Sequence, residues 1–352
     1  MPSLQPEVCR RLRLALLAVL CLLPGCAEFG YYLQSVDGQL QVNAARRPVA
    51  AVIGDAATPE PLRQRLQRAV EIRDFASREL HLPDNGSYRS YADLGRPFVV
   101  WNVFAAAEFS VEPQRWCFLF AGCVGYRGYF SRSEADRHAQ SLRGEGFEVY
   151  VAGVRAYSTL GWFDDPLLNT FIHAPEHELA RLVFHELAHQ VAYARDDTEF
   201  NESFAVAVET EGVDRWIAQQ GSAALRTDVA QARSRRLMFS ALVEDTRQRL
   251  AMLYREPLAP EIMRARKAAM YAELRAGYAA LKSQWDGFAG YDAFFEHANN
   301  AHLASFGLYH AWLPALQRLL ARGDGDLATF YAAVRELAKL PRGEREAALA
   351  AP

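Results

Sequence analysis

The stretch that most limits how this chain can fold is residues 174–212, "APEHELARLVFHELAHQVAYARDDTEFNESFAVAVETEG". Pro175 suits the first turn of a helix and no breaker follows before "ARDDT", so His185 and His189 are expected on one continuous helix. Residues four apart share a helix face, with Cβ atoms about 5–6 Å apart, and two imidazoles placed so can converge on one cation. Asp197 or Thr198 can cap a second helix. About five residues lead away from His189 and about four lead back to Glu202, and at a rise of about 1.5 Å per residue these legs nearly cancel. An antiparallel helix pair therefore brings Glu202 level with the histidines. The uncharged Leu187, Ala188, Gln190 and Val191 point to a first helix packed inside the protein.

Two neutral imidazoles and a carboxylate suit zinc, which in catalytic sites takes three protein ligands and a water. Glu186 adjoins the first ligand without being one, where it can accept a proton from that water. The arrangement is the H-E-x-x-H motif. The expected ligands are His185, His189 and Glu202. Glu209, seven residues after Glu202 on the same helix face, is the runner-up, or a partner that orients a histidine. His173 and His177 are expected as solvated residues at a helix start rather than a second metal site. Asp164 and Asp165 in "GWFDDP" are expected to cap a turn, with binding of a substrate's free amine as the lesser alternative.

Arg10, Arg11 and Arg13 precede an apolar run, Leu14 to Leu23, too short to span a bilayer and of the length found in secretory signals. The run ends "LLPGC", which resembles the lipobox of bacterial lipoproteins, in which Cys26 is lipidated and becomes the first mature residue. Ordinary secretion with cleavage near Gly25, or a short anchor, is the alternative. Ala27 stands where an aspartate marks inner-membrane retention, so the resemblance implies the periplasmic face of the outer membrane. Loss of the signal removes Cys9 and Cys21, and in an oxidising compartment the close pair Cys117 and Cys123 favours a disulfide over a metal site. Two buried free thiols are the alternative there. A net charge of −3 over 352 residues, with no basic stripe, argues against nucleic acid as a partner.

Helical periodicity over 59–80, a strand within 96–109, a helix near 133–142 and a strand opening 147–163 give a small α+β region before the motif. Almost everything after 174 is helical, with long stretches at 222–254 and 259–284. The expected fold class is α+β, mainly helical. The expected organisation is a signal over 1–25, a tether and lead-in over 26–57, an α+β lobe over 58–220 and a helical lobe over 221–352 closing a cleft. There is no internal repeat.

"FNESFA" resembles the segment that supplies the third zinc ligand in the gluzincin branch of the zincin metallopeptidases, which puts Glu202 in that role. Thermolysin-like members space the second histidine and the third ligand more widely, closer to the twenty residues between His189 and Glu209. The lipobox, "WCFLFAGCVGYRGYF", "FHELAHQ", "FNESFA" and "NNAHLASFGLYHAW" together resemble a family of bacterial lipoproteins described as zinc aminopeptidases. The resemblance implies a zincin-like fold, Zn2+ as cofactor, a peptide substrate and a lipid-anchored envelope protein. It also implies a peptide bound along an edge strand, for which Val154 to Thr159, with Ala156, Tyr157 and Ser158, is the expected segment; an ordinary half-buried strand is the alternative. An oxyanion donor is expected from Asn299, His302, Ser305, Tyr309 or His310, with Tyr309 first and His310 second as catalytic residues beside Glu186, and a core role for Tyr309 as the alternative. Endopeptidase or cell-wall amidase chemistry, and a non-catalytic envelope lipoprotein, are the competing functions.

Overall fold

Long helices dominate the computed structural model, which describes residues 30–118, 122–220 and 222–351. The expected signal over 1–25 and the expected lipidation at Cys26 fall outside the described residues. Helix α1 runs through residues 30–44. It is followed by β1 (Arg47–Pro48), α2 (Val49–Gly54), α3 (Glu60–Arg78), β2 (Ser90–Ala92) and β3 (Val100–Ala106). Then come β4 (Trp116–Phe118), β5 (Gly122–Val124), β6 (Arg127–Tyr129), α4 (Arg132–Gly144), β7 (Glu148–Val154) and β8 (Leu167–Leu168). The rest is helical: α5 (Glu176–Ala188), α6 (Thr198–Gln220), α7 (Ala223–Leu253), α8 (Pro260–Gln284), α9 (Asp292–Glu296) and α10 (Asn300–His310). Helices α11 (Leu313–Arg322), α12 (Leu327–Lys339) and α13 (Arg342–Ala350) end the chain. The mainly helical α+β class is therefore correct.

Local chemistry explains most boundaries. Pro61 and Pro260 sit in the first turns of α3 and α8, where a missing N–H costs nothing. Ser131, Ser222 and Asp326 cap α4, α7 and α12 by accepting from Glu134, Leu225 and Thr329 amides. The β-branched and aromatic run of β3 forms the middle of a three-stranded sheet, antiparallel to β6 on one side and β7 on the other. Strand β2 pairs antiparallel with β1 and parallel with β8, and β4 with β5 forms a separate hairpin.

Three expectations need correction. The span read as a tether contains α1, whose Val42 is buried and whose Gly38 abuts Phe130, so α1 is part of the packed body. The helices of 221–352, expected as one lobe, contribute to two cores. Val243, Leu250, Met263 and Leu274 of α7–α8 form a core with Phe295, Leu303 and Phe306. Leu316, Leu320, Phe330, Tyr331 and Leu349 of the last three helices instead join the core around α3, α5 and α6. An amphipathic stripe fixes that a helix face is buried but not against what. Third, the strand opening at 147 ends at Val154. The following backbone is drawn to side chains, Arg155 O to Thr170 Oγ1 and Thr159 N to Asp165 Oδ2, so Ala156–Ser158 leave the ladder.

Candidate metal centre

Helices α5 and α6 run antiparallel and bury their facing sides. The first helix stops sooner than the sequence suggests: its last residue is Ala188, with His189 as the C-cap, still in helical conformation at φ −59°, ψ −21°. The connection over 190–197 has no regular structure and is held by side chains. Asn201 accepts from Ala194 N at 2.7 Å and donates to Ala194 O at 2.8 Å, satisfying both backbone groups of a buried residue. Asp197 accepts from Phe200 N at 3.1 Å, capping α6, and its other oxygen accepts from buried Arg345 of α13 at 2.9 Å. The turn before Glu202 is thus tied to the last helix of the chain.

His185, Glu186, His189 and Glu202 are each 7–8 % exposed. His185 Nε2 lies 3.3 Å and His189 Nε2 3.8 Å from Glu202 Oε2, and ligand atoms of the three residues all fall within 4.8 Å of one another. Tetrahedral zinc with bonds of about 2.0–2.1 Å holds its ligand atoms roughly 3.3 Å apart, so the spacing fits such an ion. Glu209 takes a different place: its Oε2 lies 2.9 Å from His185 Nδ1, where it accepts from Nδ1–H, so Nε2 is the ring nitrogen that faces Glu202. Arg181 donates to Glu209 at 3.0 Å, and Arg236 of α7 stands 3.6 Å away. His189 Nδ1 is buried with no hydrogen-bond partner among the described residues.

Burial and neighbouring charges pull these groups in different directions. Burial opposes charge on His185, yet hydrogen bonds to Glu202 and Glu209 lift it to about 10. Burial holds His189 down at about 4. Burial raises Glu186 to about 8 against the pull of His185. Glu209, despite burial, is drawn to about 2 by Arg181 and His185. Arg181 and His185 offset the charge of Glu209, and Glu202, held against burial below its ordinary range by His189 and His185, is the carboxylate that faces both Nε2 atoms.

The expected oxyanion donors separate. Asn299 caps α10 and its Oδ1 accepts from His302 Nδ1 at 2.9 Å. The His302 ring stacks on Tyr150 at 3.9 Å, and Ser305 Oγ donates to His302 O. His310 stacks on Phe306 and donates from Nδ1 to Phe306 O at 3.2 Å, and among the carboxylates it feels Glu209 and Glu244 rather than Glu186 or Glu202. Tyr309 differs: its hydroxyl is held well above its ordinary range by burial and then by the charge of Glu202, with Glu186 also acting on it. His173 is exposed and His177 lies 3.7 Å from Glu178, and neither joins the metal-competent group.

Ala156 is buried, the Tyr157 hydroxyl donates to Gln39 of α1, and Ser158 Oγ accepts from Leu160 N at 3.0 Å, so this segment presents no open strand. Cys117 and Cys123 face each other across β4–β5 and are joined by a disulfide.

Two tyrosines went unrecognised. Tyr126, between β5 and β6, is raised by burial and then by Glu202, with Glu186 further down the same series. Its only trace in the sequence is the glycine on either side in "GYRG": a Cβ at Gly125 would lie 3.0 Å from Leu308 of α10. Tyr88 is 1 % exposed, has φ +63°, and its hydroxyl has no hydrogen-bond partner among the described residues. Burial, then Glu186 and Asp165, hold that hydroxyl well above its ordinary range. Arg73 fixes the loop by donating to the carbonyls of Pro83, Asn85 and Ser87, while Gln190 bonds Asn85 and Ser87. Asp165, 2 % exposed, accepts from Thr159 N as a turn cap does, and burial raises it to about 6.

Fold and site together define a mainly helical α+β protein with a buried His-His-Glu group able to hold a metal ion beside a protonatable carboxylate. A family model described as putative aminopeptidase matches residues 30–349, and the chain belongs to that family. No curated protein and no solved structure matches it.

Proposed function

We propose that this protein is a zinc-dependent aminopeptidase of the zincin type, tethered to the bacterial envelope by lipid at Cys26. The reading rests on one observation above the others: His185 Nε2, His189 Nε2 and Glu202 Oε2 converge, with Glu186 beside them and Glu209 on the far nitrogen of His185. Bound zinc would lower the pKa of a coordinated water and polarise the substrate carbonyl. Glu186 accepts the proton of the attacking water and delivers it to the departing amine. Glu209, braced by Arg181, keeps His185 in the tautomer whose Nε2 carries a lone pair. The Tyr309 hydroxyl, with Tyr126 near the same carboxylates, donates to the substrate oxygen as negative charge develops there. Membership of a family described as putative aminopeptidase supports a peptide with a free amino terminus as the substrate class.

The test combines metal content with substrate choice. The purified protein should carry about one zinc per chain. Glu202→Gln should lose that metal and Glu209→Gln should only weaken its binding, by about 10–100-fold. Loss of zinc from Glu209→Gln alone would reverse the ligand assignment. Free-amine peptides should be cleaved and amino-blocked ones spared; cleavage of both would make the enzyme an endopeptidase.

A further inference from the structure

Residues 190–197 have no regular structure, yet they decide where Glu202 stands relative to His185 and His189. Hairpin β4–β5 grips this turn from outside. Cys123 N donates to Asp196 Oδ1. Arg115, just before β4, donates to Asp196 O at 3.2 Å and to Glu199 Oε1, in the first turn of α6, at 2.7 Å. Asp196 has φ +67°, a conformation that a residue with a side chain holds only when its surroundings enforce it. Gly122, with φ +75°, lies against the turn so closely that a Cβ there would sit 2.3 Å from Asp196 Oδ1 and 2.8 Å from Arg195 Cγ. The strands doing the gripping have three residues each. A two-stranded hairpin of that length is not stable by itself in water. What closes it is the Cys117–Cys123 bond, which joins the residue pair at the middle of the ladder and includes the very residue whose amide holds Asp196.

We propose that hairpin β4–β5 is a disulfide-dependent clamp that positions the third metal ligand, with Asp196 as the residue it holds. Closed, the hairpin keeps Cys123 N and Arg115 on the turn and Glu202 opposite the two histidines. Open, it releases Asp196 and metal binding weakens. Opening is a thiol–disulfide exchange: a small dithiol gives up two electrons and two protons and becomes a disulfide, while Cys117 and Cys123 become thiols. Cys117 is exposed to such a reagent. The inference rests on the reading of His185, His189 and Glu202 as a metal site, and the experiment separates the two.

Zinc dissociation constants are measured on the purified full chain by competition with a chelator. The double variant Cys117→Ser/Cys123→Ser is used in place of reduced protein, since free thiols bind zinc themselves. That variant, Gly122→Ala and Asp196→Ala should each bind zinc about 10–100-fold more weakly than the oxidised wild type, the effect of losing a partner that orients a ligand. Asp196→Asn, which keeps the acceptor oxygen, should stay within about threefold. Circular dichroism checks that each chain is folded; should the serine variant unfold, Gly122→Ala, with its disulfide intact, decides. Wild-type zinc affinity in both Gly122→Ala and Asp196→Ala would overturn the clamp and leave the metal site standing. Absence of zinc binding by the oxidised wild type would overturn both.

Discussion

Two helix pairs of similar construction both bury apolar faces but differ in the polar groups they bury beside them. The α5–α6 pair turns His185, Glu186, His189, Asn201, Glu202, Ser203 and Glu209 inward. The α7–α8 pair turns Val243, Leu250, Leu253, Met263 and Leu274 inward and keeps its ion pairs, such as Arg249–Glu273 and Arg266–Glu256, on the surface. Every apolar contact in α7–α8 favours folding, at about 25 cal/mol per Å² removed from water. In α5–α6 each buried charge is a liability unless partnered: Arg181 of α5 itself holds Glu209, and Arg236 from α7, Arg345 from α13 and Arg115 from just before β4 reach Glu209, Asp197 and Glu199. Stability accounts for α7–α8, whereas α5–α6 also buries a polar group able to hold a metal ion.

The sharpest way to break that contrast is to change one residue in each pair. Glu186→Gln should lower kcat by about 10²–10⁴-fold with zinc retained, the range expected for a lost general base. Leu250→Ala in α7 should instead reduce unfolding free energy by about 2–5 kcal/mol, with zinc per folded chain and kcat unchanged. Full turnover by Glu186→Gln, or loss of zinc from folded Leu250→Ala, would erase the distinction. Steady-state kinetics, metal analysis and denaturant titration read these outcomes.

A finer comparison uses one chemical change in two places. Tyr309→Phe should cut kcat by about 10–10³-fold with KM and zinc content little altered, the pattern of an interaction made in the transition state. Tyr271 of α8 is also a buried tyrosine, but its hydroxyl donates to Asn300 Oδ1 at 2.8 Å. Tyr271→Phe should therefore reduce stability by about 1 kcal/mol and leave kcat alone. An unchanged kcat in Tyr309→Phe would return that residue to the core.

The smallest effect concerns Asp165, raised by burial from 3.8 to about 6. In the unfolded chain it ionises near its ordinary value, so below about pH 4 the group is neutral in both states and contributes nothing. Between about pH 4 and 6 the unfolded chain gives up its proton first and native stability falls, and above about pH 6 the deficit is complete, at about 1–3 kcal/mol. Asp165→Asn, still able to accept from Thr159 N, should remove that decline: near-neutral at acid pH, stabilising at pH 7 to 8. Parallel denaturation curves for both proteins across this window would contradict the buried-charge assignment.

What was legible in the sequence was local. The i, i+4 spacing of His185 and His189 and the short return to Glu202 fix relations within one helix hairpin, where rise per residue and shared faces leave few geometries. The same locality made Cys117 and Cys123 readable as a pair. Even there the reading of a longer α5 missed that His189 ends the helix, because the brace on the turn, Asn201 to Ala194, is a side-chain contact that helical periodicity does not encode.

Tertiary structure alone decided the rest. Tyr126, Tyr88 and Asp165 approach Glu186 from loops far upstream of it, and no spacing rule links such distances. That α11–α13 return to the core of α3, α5 and α6, rather than closing a lobe with α7–α8, was equally invisible, since an amphipathic helix specifies a buried face without naming its partner. Only the folded chain, by bringing α10 against β3 and α6, shows that Tyr309, already first of the five polar candidates, comes under the charge of Glu202 and Glu186 while His310 turns toward Phe306. The nearness of His185, His189 and Glu202 follows from a helix hairpin whose spacing the sequence carries; the groups that brace and surround them are a property of packing, which the whole chain determines together.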